Sequence, residues 1–341
     1  MSDIKTFKWC IMYYSFVLKE KKWFEDNILP CLKLYSRSIS PRSPSRHSSS
    51  PRSPSRHSKQ KRCSPRKVCG IHTSIPDKIN IEITLCHLHM KNLKNSTVYR
   101  LTDQGMEKST IPKMSFSRTF NHLWKNYAPF DGFVYSGHSN GKEMRYVNKN
   151  VNHRVATLDE LEKKFKQYNA SLKAVCFDSC LMSNIDVMET VSPYCKYVLS
   201  SPGSHPNFSY LLTRSFYSCP SPCSPEQTET YLASIQEEFT NTFSHIKYTC
   251  SALFDSKPAK KFYNYMVHLE KNKQLYFPRS ILESGGDLTT ILNTSNLDDT
   301  IKEKVMTLFY DAVISRNCFR YVPFLQKDDE EAKISCVKRI M

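Results

Sequence analysis

The stretch AVCFDSCLMSNIDVMETV, residues 174–191, sets a short apolar run directly against Asp178, Ser179 and Cys180 and then changes its period. Ala174 to Phe177 read as a buried strand, because four apolar residues in succession leave no solvent face. From Leu181 the apolar side chains recur at helical spacing, at Leu181, Ile185, Met188 and Val191, while Ser183, Asn184, Asp186 and Glu189 fall largely outside that face. The pattern predicts a strand running straight into a helix that Cys180 opens. A thiol in that place feels the positive end of the helix dipole, which favours the thiolate.

Strand and helix patterns alternate on either side of this seam, which is the mark of an α/β domain from about Ile79 onward. INIEITLCHL (79–88) and STVYRL (96–101) read as strands, FSRTFNHLWKNY (116–127) as a helix, and FDGFVYSGHSNG (130–141) as a buried strand entering a turn-rich loop. Thr157 and Glu160 form a capping box before a helix whose apolar face is Leu158, Leu161, Phe165 and Tyr168. KYVLSSPG (196–203) is a further strand. Ser224, Pro225 and Gln227 mark the next helix start, with Leu232, Ile235, Phe239 and Phe243 as its stripe; the strand YTCSALF (248–254) and helices near 257–272 and 299–314 follow. Such alternation implies parallel pairing through right-handed crossovers.

Two reactive side chains stand at strand ends. His138 follows FVYSG and Cys180 follows AVCFDS, and one helix separates the two strands, which makes them neighbours in the sheet. Sites in parallel α/β sheets form at the carboxyl ends of the strands, so both groups would project from the active edge. An imidazole beside a thiol makes a nucleophile with its own acid and base. Residue types alone leave an alternative open, in which Cys180 is a small buried apolar residue and His138 an ordinary loop histidine.

With 341 residues, 40 % hydrophobic and 12 % aromatic, the chain can bury a substantial core. Its net charge of +17 is local: ten Lys and Arg and no acidic residue lie between Ser36 and Lys67, which leaves about +7 for everything else. PRSPSRHS occurs at 41–48 and again at 51–58, in a Ser/Arg/Pro-rich tract over 36–68 that is too poor in apolar residues to fold, so disorder is expected. Three roles stay open for it: contacts from residues 36–67 to RNA or DNA phosphates, phosphorylation of its serines, or a solvated linker. Residues 1–35 read as a separate aromatic segment, one helix that docks on the main domain or lies on a membrane surface. Its run WCIMYYSFVL (9–18) is too short to span a bilayer, and no cleavage-site pattern follows it. Residues 319–341 read as a tail. Thirteen cysteines, odd in number and without small-domain spacing, point to reduced thiols in an intracellular protein, cytoplasmic by preference, with the nucleus left open by the Arg/Ser content.

FDSCLMSNIDVMETV resembles the active-site segment of the clostripain-like cysteine peptidases, which runs Phe-Asp-x-Cys-Leu-Met into an acidic, apolar helix. VYSGHSNG is similar to the histidine loop of that family and, more loosely, of the caspase-like peptidases that share its fold. SSPGSHPNFSY, YTCSALFD and GGDLTTILN extend the resemblance over about 79–318. The Arg/Ser tract resembles the repeats of splicing factors and of some large DNA virus proteins, in composition alone. The family resemblance implies a caspase-like, mostly parallel sheet flanked by helices and an endopeptidase acting on protein or peptide. Cys180 would be the nucleophile, His138 the acid and base, and the backbone amides of Ser139 and Cys180 the oxyanion donors. Asp178 and Asn207 would line the substrate site, Asp178 favouring Arg or Lys before the cut. No cofactor is implied beyond the calcium that some relatives need.

The sequence departs from the family at Ser139, where glycine is usual; serine serves if the loop needs no positive φ. Asn207-Phe208 stand where small or acidic residues are usual, and MKNLKNS follows the strand taken as the opening one in place of an aspartate-rich loop. The competing expectation is an inactive scaffold of the same fold whose tract binds nucleic acid or a protein partner. Oligomeric state has no signature here.

CHLH places His87 and His89 on one strand face, but no second ligand pair at zinc-like spacing accompanies Cys86, so these read as ordinary strand residues. Cys219 and Cys223 read as loop thiols, and His205 as a substrate-lining or solvent-exposed loop residue. His153 carries no functional reading.

Overall fold

A computed structural model describes residues 6–39, 81–90, 94–148, 151–202, 225–243, 251–275, 288, 292–293 and 295–316. Nine strands form one sheet: β1 (Phe7–Ser15), β2 (Ile81–His89), β3 (Asn95–Thr102), β4 (Gly105–Pro112), β5 (Gly132–Ser136), β8 (Leu172–Asp178), β9 (Cys195–Ser200), β10 (Ala252–Asp255) and β11 (Val313–Arg316). A hairpin of β6 (Glu143–Asn148) and β7 (Val151–Thr157) stands apart from it. The sheet order is β11-β10-β9-β8-β5-β1-β2-β3-β4. Its five central strands, β9 to β2 in that order, pair parallel. Antiparallel strands extend both ends, β3 and β4 beyond β2, β10 and β11 beyond β9.

The centre of the sheet comes from the segment before the Arg/Ser tract. Residues 7–15 form a strand between β2 and β5, where one helix over residues 1–35 was expected. The reason lies in its burial. Cys10, Met12 and Tyr14 enter the core on one face of the sheet, and Phe7, Trp9, Ile11 and Tyr13 the core on the other. A strand covered on both sides reads as an unbroken apolar run without period, which short sequence patterns cannot distinguish from a buried helix. Its contact with β5 is close: Trp9 pairs with Gly132, and a Cβ at Gly132 would meet the Trp9 ring at 2.3 Å.

After β1 the chain forms α1 (Leu18–Trp23), a π-helical turn over Phe24–Ile28, and α2 (Leu29–Ile39). Residues 36–39 of the tract thus end a helix, and the remainder of the tract lies outside the described residues. The first core packs α3 (Phe116–Tyr127), α4 (Leu158–Gln167), α5 (Ile185–Val191), α7 (Ser256–Lys271) and α8 (Asp299–Ala312) on one face of the sheet. Phe24, Ile28, Leu32 and the stripe Leu232, Ile235 and Phe239 of α6 (Pro225–Phe243) cover the other. The layers are those of an α/β domain with helices on both faces. The Thr157/Glu160 capping box is present at α4, with the Glu160 amide donating to Thr157 Oγ1 at 3.1 Å and the Thr157 amide to Glu160 Oε2 at 2.8 Å.

Strands β4 and β7 carry no clear apolar alternation, and β6 alternates only over Met144 and Tyr146. In β4, Glu107, Lys108, Ser109 and Thr110 are exposed at the sheet edge, where charge is what keeps a strand from pairing with another chain. Among the described side chains of the hairpin, Met144, Tyr146 and Ala156 enter the core and Val155 packs against it. Among the described residues no helix is long and apolar enough to cross a membrane.

Candidate active site

β5 and β8 are parallel neighbours, and Ser136 at the end of one lies opposite Asp178 at the end of the other. Each strand then releases a loop at the same edge. The two loops are fastened together at several points. Ser136 Oγ donates to Asp178 Oδ2 at 2.5 Å, and the Gly137 amide donates to the Asp178 carbonyl at 3.1 Å. Ser139 Oγ donates to the Cys180 carbonyl. Asn184 Nδ2 donates to the carbonyls of Gly141 and Leu181, both at 2.8 Å. Gly141 has a φ of +90, and a Cβ there would meet the Leu181 carbonyl at 3.1 Å, so glycine serves both the turn and the close approach.

Cys180 lies in a turn and not at a helix N-terminus, which corrects the expected seam. The helix begins at Ile185, capped by Asn184, whose Oδ1 accepts the Val187 amide at 3.1 Å. Leu181 has a φ of +62, and this left-handed residue breaks the path from strand to helix. The helix dipole therefore does not act on the thiol as the sequence pattern suggested. Beyond the cysteine, Ser183 ties the loop to β9: its amide donates to the Ser201 carbonyl at 3.1 Å and its Oγ meets Ser200 Oγ at 2.7 Å. Cys180 is half-buried, and none of the described cysteines forms a disulfide.

Ser139 needs no left-handed backbone. The described non-glycine residues with positive φ are Asn169, Leu181 and Lys273, so the condition under which serine replaces glycine holds. Ser139 bridges Met144 of β6 through bonds on either side of it, from the Asn140 amide to the Glu143 carbonyl and from the Arg145 amide to the His138 carbonyl. That pattern directs the Ser139 amide away from β6.

His138 is held through both its backbone and its ring. Its carbonyl accepts from Tyr135 Oη at 2.9 Å and from the Arg145 amide at 3.0 Å. Burial, then the charges of Glu20 and Asp178, push the Tyr135 hydroxyl above its ordinary value, so it remains a donor. The imidazole contacts Phe16 edge-on at 5.5 Å and Tyr146 at 4.9 Å, while Phe16 and Tyr146 stack on each other at 5.0 Å. Its Nε2 lies 2.8 Å from Glu20 Oε1. Glu20 is the main residue that sequence reasoning missed, because it lies in the N-terminal segment that had been separated from the domain. The one available signal was a glutamate in the first turn after an apolar run.

Asp178 is 4 % exposed and fixed by Ser136, at the carboxyl end of β8 beneath the two loops. Asn207, His205, Cys219 and Cys223 lie outside the described residues. His87 and His89 meet Ser15 in place of a metal: Ser15 Oγ is 2.8 Å from His87 Nε2 and 3.2 Å from His89 Nδ1. Among the described residues no group of three or more His, Cys, Asp or Glu side chains is arranged to hold a metal ion.

No protein-family profile matches the sequence, and no curated protein is significantly similar to it. The fold does have counterparts. The chain is similar to a secreted C11 cysteine protease from Bacteroides thetaiotaomicron, at 13 % identity over 92 % of this chain and 87 % of that one, with a TM-score of 0.59. It is similar to an inactive zymogen of a C11 protease from Parabacteroides distasonis, at 11 % identity over 97 % and 89 % of the two chains, with a TM-score of 0.60. A secreted C11 cysteine protease from Bacteroides thetaiotaomicron bound to an irreversible peptide inhibitor matches at 12 % identity over 92 % and 84 %, with a TM-score of 0.59. At these identities the likeness is one of fold: the chain is built on the caspase-like architecture of the C11, clostripain-like, cysteine proteases.

Proposed function

We propose that this chain, folded as the C11 cysteine proteases are, is a cysteine endopeptidase in which Cys180 and His138 form the catalytic dyad. The observation that carries the reading is the joining of the two strand-end loops, through Ser139 Oγ to the Cys180 carbonyl and Asn184 to the Gly141 carbonyl. Preorganised loops are what a nucleophile and its base require, since small misplacements are costly in rate.

In this mechanism His138 accepts the Cys180 thiol proton, and the sulfur forms a bond to the scissile carbonyl carbon as the carbonyl π pair moves to oxygen. Backbone amides of Ser139 and Cys180 stabilise that oxyanion. Collapse breaks the C–N bond, and the amine leaves with the proton from His138. Water, losing a proton to His138, then attacks the thioester and releases the acid and the Cys180 thiol. Asp178, two residues before the nucleophile, supplies a negative charge that favours Arg or Lys before the cut, and Asn207 contacts substrate.

Fluorogenic peptides ending in Arg, Lys, Asp or Leu, together with a thiol-directed acyloxymethyl ketone probe, test the reading beside Cys180→Ala. Cleavage after Arg or Lys and labelling that disappears in Cys180→Ala are expected. Absence of both defeats the peptidase reading. RNA binding that falls with salt and is lost on deletion of 36–67 would then favour the scaffold.

A further inference from the structure

Glu20 divides its carboxylate between two tasks. One oxygen, Oε2, accepts the amides of Phe16 at 2.6 Å and Val17 at 3.3 Å, which caps the first turn of α1 where Val17 offers no side-chain acceptor. The other oxygen, Oε1, meets His138 Nε2 at 2.8 Å. Helix capping explains the first oxygen only; a capping glutamate with no further role leaves its second oxygen to water. Here the Glu20 side chain is 27 % exposed and the His138 side chain 45 % exposed, so the pair lies at the surface within reach of solvent.

We propose that Glu20 is a positioning residue of the site, which holds the proton of neutral His138 on Nε2 and leaves Nδ1 as the nitrogen that exchanges protons with Cys180 and the leaving amine. The inference rests on the peptidase reading and extends it. A carboxylate only accepts hydrogen bonds, so the nitrogen facing it carries the hydrogen. The lone pair of the neutral ring then sits on Nδ1. When His138 takes the thiol proton, the imidazolium gains a charge partner at 2.8 Å. Burial opposes charge on Glu20, but the hydrogen bond and charge of His138 and the amides of Phe16 and Val17 outweigh it, and the carboxyl stays below its ordinary value. Phe16 and Tyr146 pack against the ring and restrain its rotation. Both Phe16 and Glu20 precede the Arg/Ser tract, so the site is completed by the segment on the far side of that tract.

Glu20→Gln separates the two tasks. Its single oxygen still caps Phe16 and Val17, while its NH2 faces Nε2 and reverses the tautomer, placing the hydrogen on Nδ1 where it blocks proton uptake. In full-length protein with 15N-labelled histidine, His138 is expected as the Nε2–H tautomer in wild type and as Nδ1–H in Glu20→Gln. With an Arg-ending peptide, kcat is expected to fall about 10- to 100-fold, the scale of a charge-assisted bond, with KM within about twofold. Glu20→Ala should lower kcat similarly, with thermal unfolding of both variants showing that they fold. A wild-type protein that labels with the probe, beside a Glu20→Gln protein that labels at the same rate or keeps the Nε2–H tautomer, overturns the role of Glu20 alone. A wild-type protein that neither cleaves nor labels overturns the peptidase reading and this role with it.

Discussion

Ser139 Oγ donates a hydrogen bond to the backbone carbonyl of Cys180, which makes the histidine loop and the cysteine loop one unit. The bond gives a use to the residue at which the sequence departs from the glycine of the clostripain-like pattern. Removing the hydroxyl in Ser139→Ala should cost about 1 kcal/mol, or roughly fivefold in kcat/KM on an Arg-ending peptide. Ser139→Gly loses the same bond and also loosens the loop. Its activity should therefore equal or fall below that of Ser139→Ala. Higher activity than wild type in Ser139→Gly would mean that the loop wants glycine after all.

Gly132 is required where β5 passes Trp9 of β1. An added Cβ would lie 2.3 Å from the indole, which is held in a fully buried position. Gly132→Ala should destabilise the fold by about 1–3 kcal/mol, the usual cost of overpacking. Trp9→Leu in the same background makes room for the methyl, so the double variant should be more stable than the sum of the two single losses. Additive urea-unfolding energies would show that the two residues do not compete for one space.

These two pairs also show what the sequence could and could not reveal. The strand at 174–177 was legible as an unbroken apolar run closed by Asp178, the Thr157 capping box as a local signal, and the adjacency of β5 and β8 from the one helix read between them. β1 was not, since burial on both faces erased its period, and Glu20 was lost with it. The turn at Cys180 was hidden for another reason. The apolar spacing from Leu181 to Val191 is helical on paper, but the positive φ of Leu181 and the Asn184 cap are set by contacts to Gly141, forty-three residues away in the chain.

His87 makes stability sensitive to mild acid. Burial first, then the charges of His89 and Lys21, lowers its value from 6.5 to about 3. A depressed histidine is neutral when folded and protonated when unfolded between those limits, so folding loses stability as pH falls from 6.5 toward about 3 and keeps its full contribution above 6.5. The slope is at most about 1.4 kcal/mol per pH unit. His87→Gln keeps a partner for Ser15 but cannot titrate. Its stability deficit relative to wild type should shrink by about 2 kcal/mol between pH 7 and pH 5 in urea unfolding. Glu20 does not confuse that comparison. Its value is lowered below 4.5, so its contribution is present above 4.5 and is lost only as pH falls through the folded value. Parallel pH curves for wild type and His87→Gln would show that His87 is not held neutral.

A single cut anywhere between residues 40 and 80 should leave the molecule whole. β1 is hydrogen-bonded to β2 on one side and β5 on the other, and Trp9, Ile11, Tyr13, Phe24 and Ile28 are buried with it. Burying each such side chain is worth about 1.5–3 kcal/mol, well beyond what the entropy of one freed chain end restores. With a specific protease site placed in that interval, the fragment carrying residues 6–39 is expected to co-elute with the rest in native buffer and to separate in 6–8 M urea, a range chosen as roughly that of full unfolding. Because Phe16 and Glu20 belong to the smaller fragment, probe labelling of Cys180 should survive the cut, vanish when the fragments are parted, and return when they are refolded together. Separation of the fragments in native buffer would contradict the central place of β1 in the sheet.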